Sequence, residues 1–248
     1  MNNTKNSPSG VRGMILAAGL GTRLKPWTDK HPKALAVVNN QSLLQRNILY
    51  LQSYGIKDVI VNVHHFADQI MDAIEKNNGW GSNITISDET NEVLETGGGL
   101  KKAAWYFEGE ENLLLMNVDI LTDLDLNKLI QQQAGSDNLA TLAVSKRMSS
   151  RKFLFDEHHI LCGWENVNTG ELKITRDPDI AFPFAFSGIH CISTKIFPLI
   201  KQSGKFSIVD VYLELSEKYN IGYYNHSGSK FIDVGKPESI AKAEEMFG

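Results

Sequence analysis

The sequence predicts an α/β protein built on a Rossmann-like, mixed but mainly parallel sheet flanked by helices. Two observations support this prediction: short apolar runs alternate with amphipathic segments through the first half of the chain, and a glycine-rich turn follows the first apolar run. Such alternation is typical of right-handed βαβ units, in which helices cover both faces of a parallel sheet. At 248 residues, 42% of them hydrophobic, the chain can bury a core of the required size.

The predicted elements follow in order along the chain. Strands are predicted over residues 14–18, 58–63, 84–87 and 113–116, and helices over residues 43–54, 67–75 and 97–107. Past residue 140 shorter strands are predicted at 140–144, 153–155, 172–174 and 185–190, and a last helix at 237–247. No linker rich in proline, glycine or serine divides the chain, so we expect a single domain over residues 11–248 after a flexible N-terminus at residues 1–10.

Composition narrows the class of protein. The net charge is -4 and 22% of residues are charged, so no broad basic surface is implied, and neither nucleic acid nor an anionic membrane is an expected partner. Cys162 and Cys191 stand without a metal-binding pattern, which favours free thiols in a reducing compartment. The polar N-terminus lacks the apolar segment of a signal peptide, and no run approaches the ~20 apolar residues of a membrane helix. We therefore expect a cytoplasmic protein.

The segment after the first strand, GLGTRLKPWTDKHPKAL at residues 19–35, carries the strongest chemical signal. Gly19 and Gly21 permit positive φ and close backbone approach, so successive N–H groups can converge on an anion. Arg23 adds a planar fork of donors and Lys33 a compact positive charge, and both suit phosphate oxygens. The two glycines alone are equally compatible with an ordinary tight turn. Together with the two cations they favour a polyphosphate site.

Neither of two familiar glycine-rich templates fits this segment. The dinucleotide-binding fingerprint requires a glycine where Leu24 stands, and the P-loop requires Gly-Lys-Ser/Thr. A Rossmann dehydrogenase, which would bind nicotinamide, is therefore disfavoured.

Two aspartates follow apolar runs. Asp119 comes just after the run at residues 113–116, at or beyond the carboxyl end of a strand, where ligands bind in open α/β sheets. Asp233 follows Phe231 and Ile232 in the same kind of position. Brought together, the two carboxylates could hold one Mg²⁺, which prefers a few carboxylates plus phosphate oxygens and water. Each aspartate could instead cap a turn or a helix, and the spacing alone leaves both interpretations open.

Taken whole, residues 19–35 resemble the signature G-x-G-T-R-L-x-P-x-T-x-x-x-P-K of the nucleotidyltransferases that join a nucleoside triphosphate to a sugar 1-phosphate. The resemblance covers nearly the whole chain through LETGGGL at 94–100, LLMNVDIL at 114–121, FAFSGIH at 184–190 and FIDVGKPE at 231–238. It is strongest to the N-acetylmuramate-1-phosphate uridylyltransferase branch, with mannose-1-phosphate guanylyltransferase-like proteins nearby. It implies the nucleotide-diphospho-sugar transferase (GT-A-like) fold, whose N-terminal half binds nucleotide and whose C-terminal half binds sugar phosphate.

The resemblance also implies catalytic and metal-binding roles. A sugar 1-phosphate oxygen would attack the α-phosphate of the triphosphate, and pyrophosphate would leave. Arg23 would hold the β- and γ-phosphates and Lys33 would lie near the α-phosphate, while Asp119 and Asp233 match the two metal-aspartate motifs and would bind Mg²⁺. Val118 stands where the first of these motifs usually has glycine.

Nucleotide and sugar contacts are implied in the same way. The nucleotide-binding residues are Leu16, Ala17, Ala18, Gly19, Gly21, Thr22, Glu95, Thr96 and Gly97, and the sugar-binding residues are Asn117, Ser187 and Gly188, with His190 on the same strand. Glu95 could accept a hydrogen bond from uracil or from guanine, so the base stays open, or it could serve only as a favourable acid at a helix N-terminus. The Glu-Lys-Pro motif that supplies a lysine to the sugar phosphate in many relatives is missing here. The possible substitutes are Arg147, Arg151, Lys152 and Lys173.

The expected activity is therefore a Mg²⁺-dependent coupling of a nucleoside triphosphate, UTP before GTP, to a sugar 1-phosphate. N-acetylmuramate 1-phosphate, in a peptidoglycan recycling route, is the favoured acceptor. The alternatives are mannose or heptose 1-phosphate with GTP, a choline-phosphate cytidylyltransferase, and a non-catalytic regulatory subunit that binds a nucleotide sugar. Because the chain lacks the long C-terminal repeat extension of some relatives, we expect a monomer or homodimer.

Overall fold

A computed structural model describes residues 10–248, which form fourteen strands and six helices. The strands are β1 (Val11–Leu16), β2 (Val37–Val38), β3 (Gln41–Ser42), β4 (Asp58–Val63), β5 (Asn83–Asp88), β6 (Asn112–Asn117), β7 (Ile120–Thr122), β8 (Ala140–Ser145), β9 (Arg151–Phe155), β10 (Leu161–Asn166), β11 (Glu171–Ile174), β12 (Phe182–Ser193), β13 (Ile221–Asn225) and β14 (Phe231–Asp233). The helices are α1 (Leu43–Ser53), α2 (Ala67–Lys76), α3 (Glu95–Lys102), α4 (Leu126–Ala134), α5 (Ile208–Ser216) and α6 (Pro237–Met246). Of the predicted flexible segment at 1–10, all but Gly10 lies outside the described residues.

Ten strands form one mixed sheet in the order β11-β10-β9-β12-β6-β1-β4-β5, with β8 and β13 attached beside β12. The strands β5, β4, β1 and β6 are parallel, as predicted, whereas β12 runs antiparallel to β6 and the strands beyond it are mainly antiparallel. Because Ile189 of β12 pairs with Met116 near the end of β6, the first half of β12 extends past the carboxyl edge of the parallel strands. The C-terminal strands therefore enlarge this edge of the sheet.

Both faces of the sheet are covered. Ile15 belongs to a buried cluster that includes residues of α1, α2 and α4, while its neighbour Met14 belongs to a second cluster with residues of α3 and α5. Successive side chains of a strand point to opposite faces, which explains this division. Within residues 10–248, no helix has the length and apolar character needed to cross a membrane.

The first strand ends earlier than predicted. β1 stops at Leu16, so Ala17 and Ala18 lie in the following loop. Their N–H groups donate to the side-chain oxygen of Asn62, at 2.7 and 3.3 Å. The strand was predicted to end too late because both alanines continue the apolar run and are buried without belonging to a strand.

The helix predicted over 97–107 is displaced toward the N-terminus. α3 begins at Glu95 and ends at Lys102, after which the chain tightens into a 3₁₀ turn at Ala104–Phe107. Its three glycines, Gly97, Gly98 and Gly99, therefore lie in the middle of the helix. Neighbouring groups approach each of them more closely than a side chain would allow.

The strand that carries Asp233 is not part of the main sheet. β14 pairs antiparallel with β7 in a separate two-stranded sheet, in which Asp233 lies opposite Ile120. The N–H of Val234 donates to the carbonyl of Asp119 at 2.8 Å. The two aspartates thus meet through this small ladder. Their positions in the sequence had instead suggested neighbouring strands of the main sheet.

Candidate functional site

A cavity of about 500 Å³ opens where β1, β4 and β6 end. Most of the predicted site residues line this first cavity, namely Leu16, Ala17, Ala18, Gly19, Gly21, Thr22, Arg23, Lys33, Glu95, Thr96, Asn117 and Asp119. Asn62, Lys205 and Ser207 also line it, although the sequence did not single them out. Gly97, Ser187, Gly188 and Asp233 stand outside this lining.

The glycine-rich loop is held against Lys33. Gly21 has a φ of 62°, in the left-handed region that favours glycine. A Cβ at this position would lie 2.8 Å from the Thr28 side chain and 3.0 Å from Cβ of Lys33. The Thr28 hydroxyl donates to the carbonyl of Gly21 at 3.0 Å. This packing directs the start of the loop, with Thr22 and Arg23, toward the cavity.

Lys33 and Asp119 form the first of two ion pairs at the cavity. Lys33 follows Pro32 at the start of a 3₁₀ turn and is only 9% exposed. Its Nζ donates a hydrogen bond to Oδ2 of Asp119, which lies two residues beyond the end of β6. A nearly buried ammonium on a carboxylate is a strong, charge-assisted contact.

The second ion pair is more open. Nη2 of Arg23 lies 3.6 Å from Oδ2 of Asp233, and the side chains are 57% and 43% exposed. Partial burial and the negative charge of Asp119 raise the pKa of Asp233, and the charges of Lys33 and Arg23 oppose this rise. Two carboxylates and two cations therefore form one compact electrostatic group.

This carboxylate pair suits a magnesium ion that arrives with phosphate. No group of three or more histidine, cysteine, aspartate or glutamate side chains within residues 10–248 could hold a metal by itself. Mg²⁺ is commonly bound through one or two carboxylates together with phosphate oxygens and water. The ladder of β7 and β14 brings Asp119 and Asp233 together, so this donor set of two carboxylates fits such an ion.

A buried relay of hydrogen bonds through Asn62 and Glu89 connects the loop after β1 to the segment before α3. Asn62 receives the N–H groups of Ala17 and Ala18 and donates from Nδ2 to Oε1 of Glu89 at 2.8 Å. Glu89 is 1% exposed, and its other oxygen accepts from the N–H of Leu94 at 3.3 Å. Burial raises the pKa of Glu89, against the effect of these hydrogen bonds. The position of Asn62 at the end of a predicted strand was the signal that could have identified it.

The start of α3 forms the other wall of the first cavity. Glu95 has a φ of 59°, which is unusual for a residue other than glycine, and its carboxylate lies 3.5 Å from Nζ of Lys205. The hydroxyl of Thr96 accepts from the N–H of Ile208 at 3.0 Å. Gly97 lies behind this wall, where its N–H donates to the carbonyl of Phe206 at 3.0 Å. Its N–H is therefore engaged within the protein.

The predicted sugar residues lie on β12, next to the first cavity. Gly188 has a φ of 69°, and a Cβ there would lie 2.6 Å from Nδ2 of Asn117. Ser187 is buried and its hydroxyl hydrogen-bonds with Nε2 of His226 at 2.7 Å. His190 does not line this cavity: it is buried, bonded to the Tyr212 hydroxyl at 2.5 Å, and burial lowers its pKa to about 3.

Arg147 is the most firmly held of the four candidate cations for the sugar phosphate. Its Nη1 donates to the hydroxyls of Ser145 and Ser187 at 3.2 and 3.3 Å and to the carbonyl of Ala185 at 3.0 Å. Its Nη2 donates to the carbonyl of Phe186 at 2.6 Å. All four acceptors are neutral, so these bonds orient the guanidinium without neutralising it.

The charge of Arg147 also interacts with the carboxylate pair. Burial lowers the pKa of Arg147, and the negative charge of Asp233 opposes this change. By contrast, Arg151 is exposed at the start of β9, and Lys173 is ion-paired with Glu171 at 3.5 Å. Arg147 is therefore the candidate whose charge interacts with Asp233.

The family model described as nucleotidyl transferase matches residues 12–155. The chain belongs to the nucleotidyl transferase family. This assignment agrees with the glycine-rich turn, which had disfavoured a dehydrogenase.

Three relatives illustrate the reach of this nucleotidyl transferase family. The chain is 36% identical over 244 residues to N-acetylmuramate alpha-1-phosphate uridylyltransferase of Neisseria meningitidis serogroup B, covering 96% of this chain and 99% of that protein. It is 27% identical over 238 residues to D-glycero-alpha-D-manno-heptose 1-phosphate guanylyltransferase of Aneurinibacillus thermoaerophilus, covering 95% and 97%. The crystal structure of HddC from Yersinia pseudotuberculosis complexed with GMP-PN matches with a TM-score of 0.76 at 27% identity, covering 96% and 100%.

These similarities confirm the predicted fold and the predicted enzyme class. The nucleotidyl transferase has the mainly parallel, helix-flanked sheet of the nucleotide-diphospho-sugar transferases and is a sugar-1-phosphate nucleotidyltransferase. The full-length relatives are named for different bases and sugars, so family membership does not assign either substrate.

Proposed function

We propose that this nucleotidyl transferase couples UTP to N-acetylmuramate 1-phosphate, forming UDP-N-acetylmuramate and pyrophosphate in a peptidoglycan recycling route. The observation that carries the chemistry is the compact group of two carboxylates and two cations, Asp119 with Lys33 and Asp233 with Arg23. The choice of substrates is supported by the full-length similarity, at 36% identity, to an N-acetylmuramate alpha-1-phosphate uridylyltransferase.

The reaction needs alignment and charge neutralisation more than a protein nucleophile. An oxygen of the sugar 1-phosphate forms a bond to the α-phosphorus of the triphosphate. The bond from that phosphorus to the bridging oxygen of the β-phosphate breaks, and pyrophosphate leaves with its electron pair. Negative charge therefore develops on the leaving pyrophosphate oxygen as the attacking oxygen gives up charge to the new bond.

The two cations are suited to different parts of this transition state. Arg23, which is more than half exposed beside the cavity, has a guanidinium fork for the β- and γ-phosphates of the leaving pyrophosphate. Lys33, nearly buried and fixed by its 3₁₀ turn, supplies a preorganised charge near the α-phosphate. The backbone N–H groups of Gly19, Gly21 and Thr22 offer further donors to phosphate oxygens.

Asp119 and Asp233 would hold Mg²⁺, which when bound would neutralise phosphate charge at the reacting centre. Before any ligand binds, Lys33 and Arg23 balance the two carboxylates and keep them close together. This arrangement prepares the pair without requiring a third protein ligand.

Base and sugar would bind on opposite sides of this centre. Glu95, at the cavity wall, can accept a hydrogen bond from the imide N–H of uracil, and Thr96 lies beside it. Asn117 and Gly188 would border the sugar, and Arg147 would take the place of the lysine that the Glu-Lys-Pro motif supplies in many relatives. Guanine also presents N–H donors, so GTP with heptose or mannose 1-phosphate is the second candidate, favoured by the heptose 1-phosphate guanylyltransferase similarity.

A substrate matrix tests the proposal. Purified protein with Mg²⁺ is incubated with UTP, GTP, CTP or dTTP against N-acetylmuramate, mannose, glucose, N-acetylglucosamine and heptose 1-phosphates and phosphocholine, and pyrophosphate release is measured. We expect the highest rate with UTP and N-acetylmuramate 1-phosphate, and none with a chelator. A preference for GTP with heptose or mannose 1-phosphate would overturn the substrate assignment. If no combination releases pyrophosphate while calorimetry still detects nucleotide binding, the regulatory subunit would be favoured.

A further inference from the structure

A second cavity, of about 560 Å³, lies at the same edge of the sheet on its antiparallel side. β12 begins at this edge and β8 and β13 end there, because β8 is antiparallel to β12 and parallel to β13. Aromatic side chains form one wall and cations line the rim, namely His159, Phe182, Phe184 and Tyr223 with Lys146, Arg147 and Lys152. The proposed reaction uses only Arg147 of these residues.

A short chain of contacts joins the two cavities. Asn117 lines the first cavity and contacts Gly188, as its close approach shows. Ser187, the preceding residue, accepts a hydrogen bond from Arg147, which lines the second cavity. The guanidinium of Arg147 lies 4.5 Å from the centre of the Phe231 ring, two residues before Asp233. Arg147 therefore belongs to the lining of the second cavity and to the surroundings of Asp233, so the two cavities are neighbours.

The second cavity carries a positive charge that the protein leaves largely uncompensated. Its described lining contains three cations and no aspartate or glutamate. Nζ of Lys152, whose side chain is only 26% exposed, forms one long ion pair with Oε1 of Glu165 at 3.8 Å, and Glu165 does not line the cavity. Lys146 is exposed and, within residues 10–248, has no ion-pair partner through its side chain. A mostly buried ammonium whose ion pair is too long for a hydrogen bond favours a closer carboxylate or phosphate oxygen from a ligand.

The opposite wall is apolar and rigid. Tyr223 packs against Phe184 and Phe155, with ring centres 4.8 and 4.6 Å apart, and against His159 at 5.0 Å. Such a wall accepts a methyl group or the apolar face of a sugar. The cavity thus combines one apolar surface with one cationic rim.

We propose that the second cavity binds an acidic substituent of the sugar 1-phosphate, with Lys152 as the specificity-determining cation for its carboxylate. The inference rests on the proposed function and deepens it. N-acetylmuramate differs from N-acetylglucosamine by a lactyl ether, which brings one carboxylate for the rim and one methyl for the wall. A uronic acid brings a carboxylate from a different ring position, so the shared chemistry is a carboxylate on the sugar.

Matched pairs of substrates test this inference. We compare N-acetylmuramate with N-acetylglucosamine 1-phosphate, and glucuronate with glucose 1-phosphate, using the best nucleotide. We expect wild-type kcat/KM to favour the acidic member of at least one pair, and the favoured pair identifies the carboxylate position. Lys152→Gln should reduce the acidic-to-neutral ratio roughly tenfold or more, as loss of a charge-assisted contact does, and Lys152→Arg should retain most of it. The control is Lys173→Gln, which removes an ion-paired cation outside the cavity and should leave the ratio unchanged.

The possible failures are separable. Equal kcat/KM for acidic and neutral sugars, or a Lys152→Gln variant that lowers both equally, would overturn the inference while pyrophosphate release still supported the proposed chemistry. If no pair releases pyrophosphate, the proposed function fails, and calorimetry with N-acetylmuramate and N-acetylglucosamine 1-phosphates decides the cavity. Tighter binding of the acidic sugar that Lys152→Gln abolishes would support the site, and equal binding would overturn it.

Discussion

The two cavities at the edge of the sheet are built in different ways. The first is formed mainly by backbone and short side chains at the ends of parallel strands, with Arg23, Lys33 and Lys205 as its cations. The second is formed by aromatic rings and long cationic side chains from the antiparallel extension. The comparison suggests a division of labour, in which the first cavity serves the phosphate chemistry common to all substrates and the second selects the sugar.

The largest effects should come from the cations of the first cavity. Arg23→Ala or Lys33→Ala should lower turnover by about 100-fold or more with every sugar, because each removes a preorganised charge at the phosphates. Initial rates of pyrophosphate release measure this. Lys25→Ala is the matched control, since Lys25 lies on the same loop, is exposed, and pairs with Asp29 at 3.1 Å away from the cavity lining. Near-normal turnover in both the Arg23 and the Lys33 variants would refute the assignment of the phosphate chemistry to the first cavity.

The buried relay behind the first cavity should come next. Asn62→Ala removes the acceptor for the N–H of Ala17 and the donor to Glu89, so it should lower the free energy of unfolding by about 1–3 kcal/mol. It should also raise KM for the nucleotide more than KM for the sugar. Denaturant titration and steady-state kinetics measure the two effects.

Asn83→Ala offers a comparison for that relay on the same pair of strands. Asn83 also donates to a carboxylate across β4 and β5, that of Asp58 at 2.9 Å, but this bond is exposed. Surface bonds contribute little, so we expect a change within about 0.5 kcal/mol. An equal loss in both variants would show that burial of the Asn62 relay is unimportant.

Arg147 should show the opposite selectivity. Arg147→Ala should raise KM for the sugar 1-phosphate by about tenfold while KM for the nucleotide changes little, because a charge-assisted contact to the sugar side is lost. Arg147→Lys keeps the charge and fewer of the hydrogen bonds to β12. Its KM for the sugar 1-phosphate should lie between those of the wild type and Arg147→Ala. Thermal unfolding of both variants separates this effect from loss of the packing at β12. A rise confined to the nucleotide KM would contradict the assignment.

The smallest effect concerns stability without metal. The pKa of Asp233 is raised above its ordinary value of 3.8 in the folded chain, so wild-type stability should fall as pH rises from that value through the raised pKa. Asp233→Asn removes this penalty and should unfold at a slightly higher temperature at neutral pH in the presence of a chelator. The difference should shrink toward pH 4, and added Mg²⁺ should stabilise the wild type more. A variant less stable than wild type at neutral pH would mean that the Arg23 contact dominates.

The sequence was informative where function depends on neighbours along the chain. Residues 19–35 form one continuous loop, so their signature predicted Gly21, Arg23 and Lys33 at a single cavity. The four parallel strands were also predictable, since β1, β4 and β6 contain buried apolar runs and β5 alternates isoleucine with polar residues.

What escaped prediction depends on strand register across the sheet. Phe184 and Tyr223 resemble ordinary core residues in the sequence, and they meet only because β12, β8 and β13 pair in a particular register. Asn62 and Glu89 likewise become partners through the pairing of β4 with β5, which no local pattern encodes. The separate ladder of β14 and β7, which brings Asp233 to Asp119, escaped prediction for the same reason, since the sequence placed Asp233 only at the end of a strand.

The ladder of β14 and β7 has a consequence for biosynthesis. The ribosome makes the phosphate loop first and Asp119 later, and Asp233 belongs to a strand that is made later still. A nascent chain can therefore present the loop long before it has the second carboxylate. Translation products that stop before β14 would lack a complete reacting centre, so phosphoryl chemistry is postponed until β14 has been made.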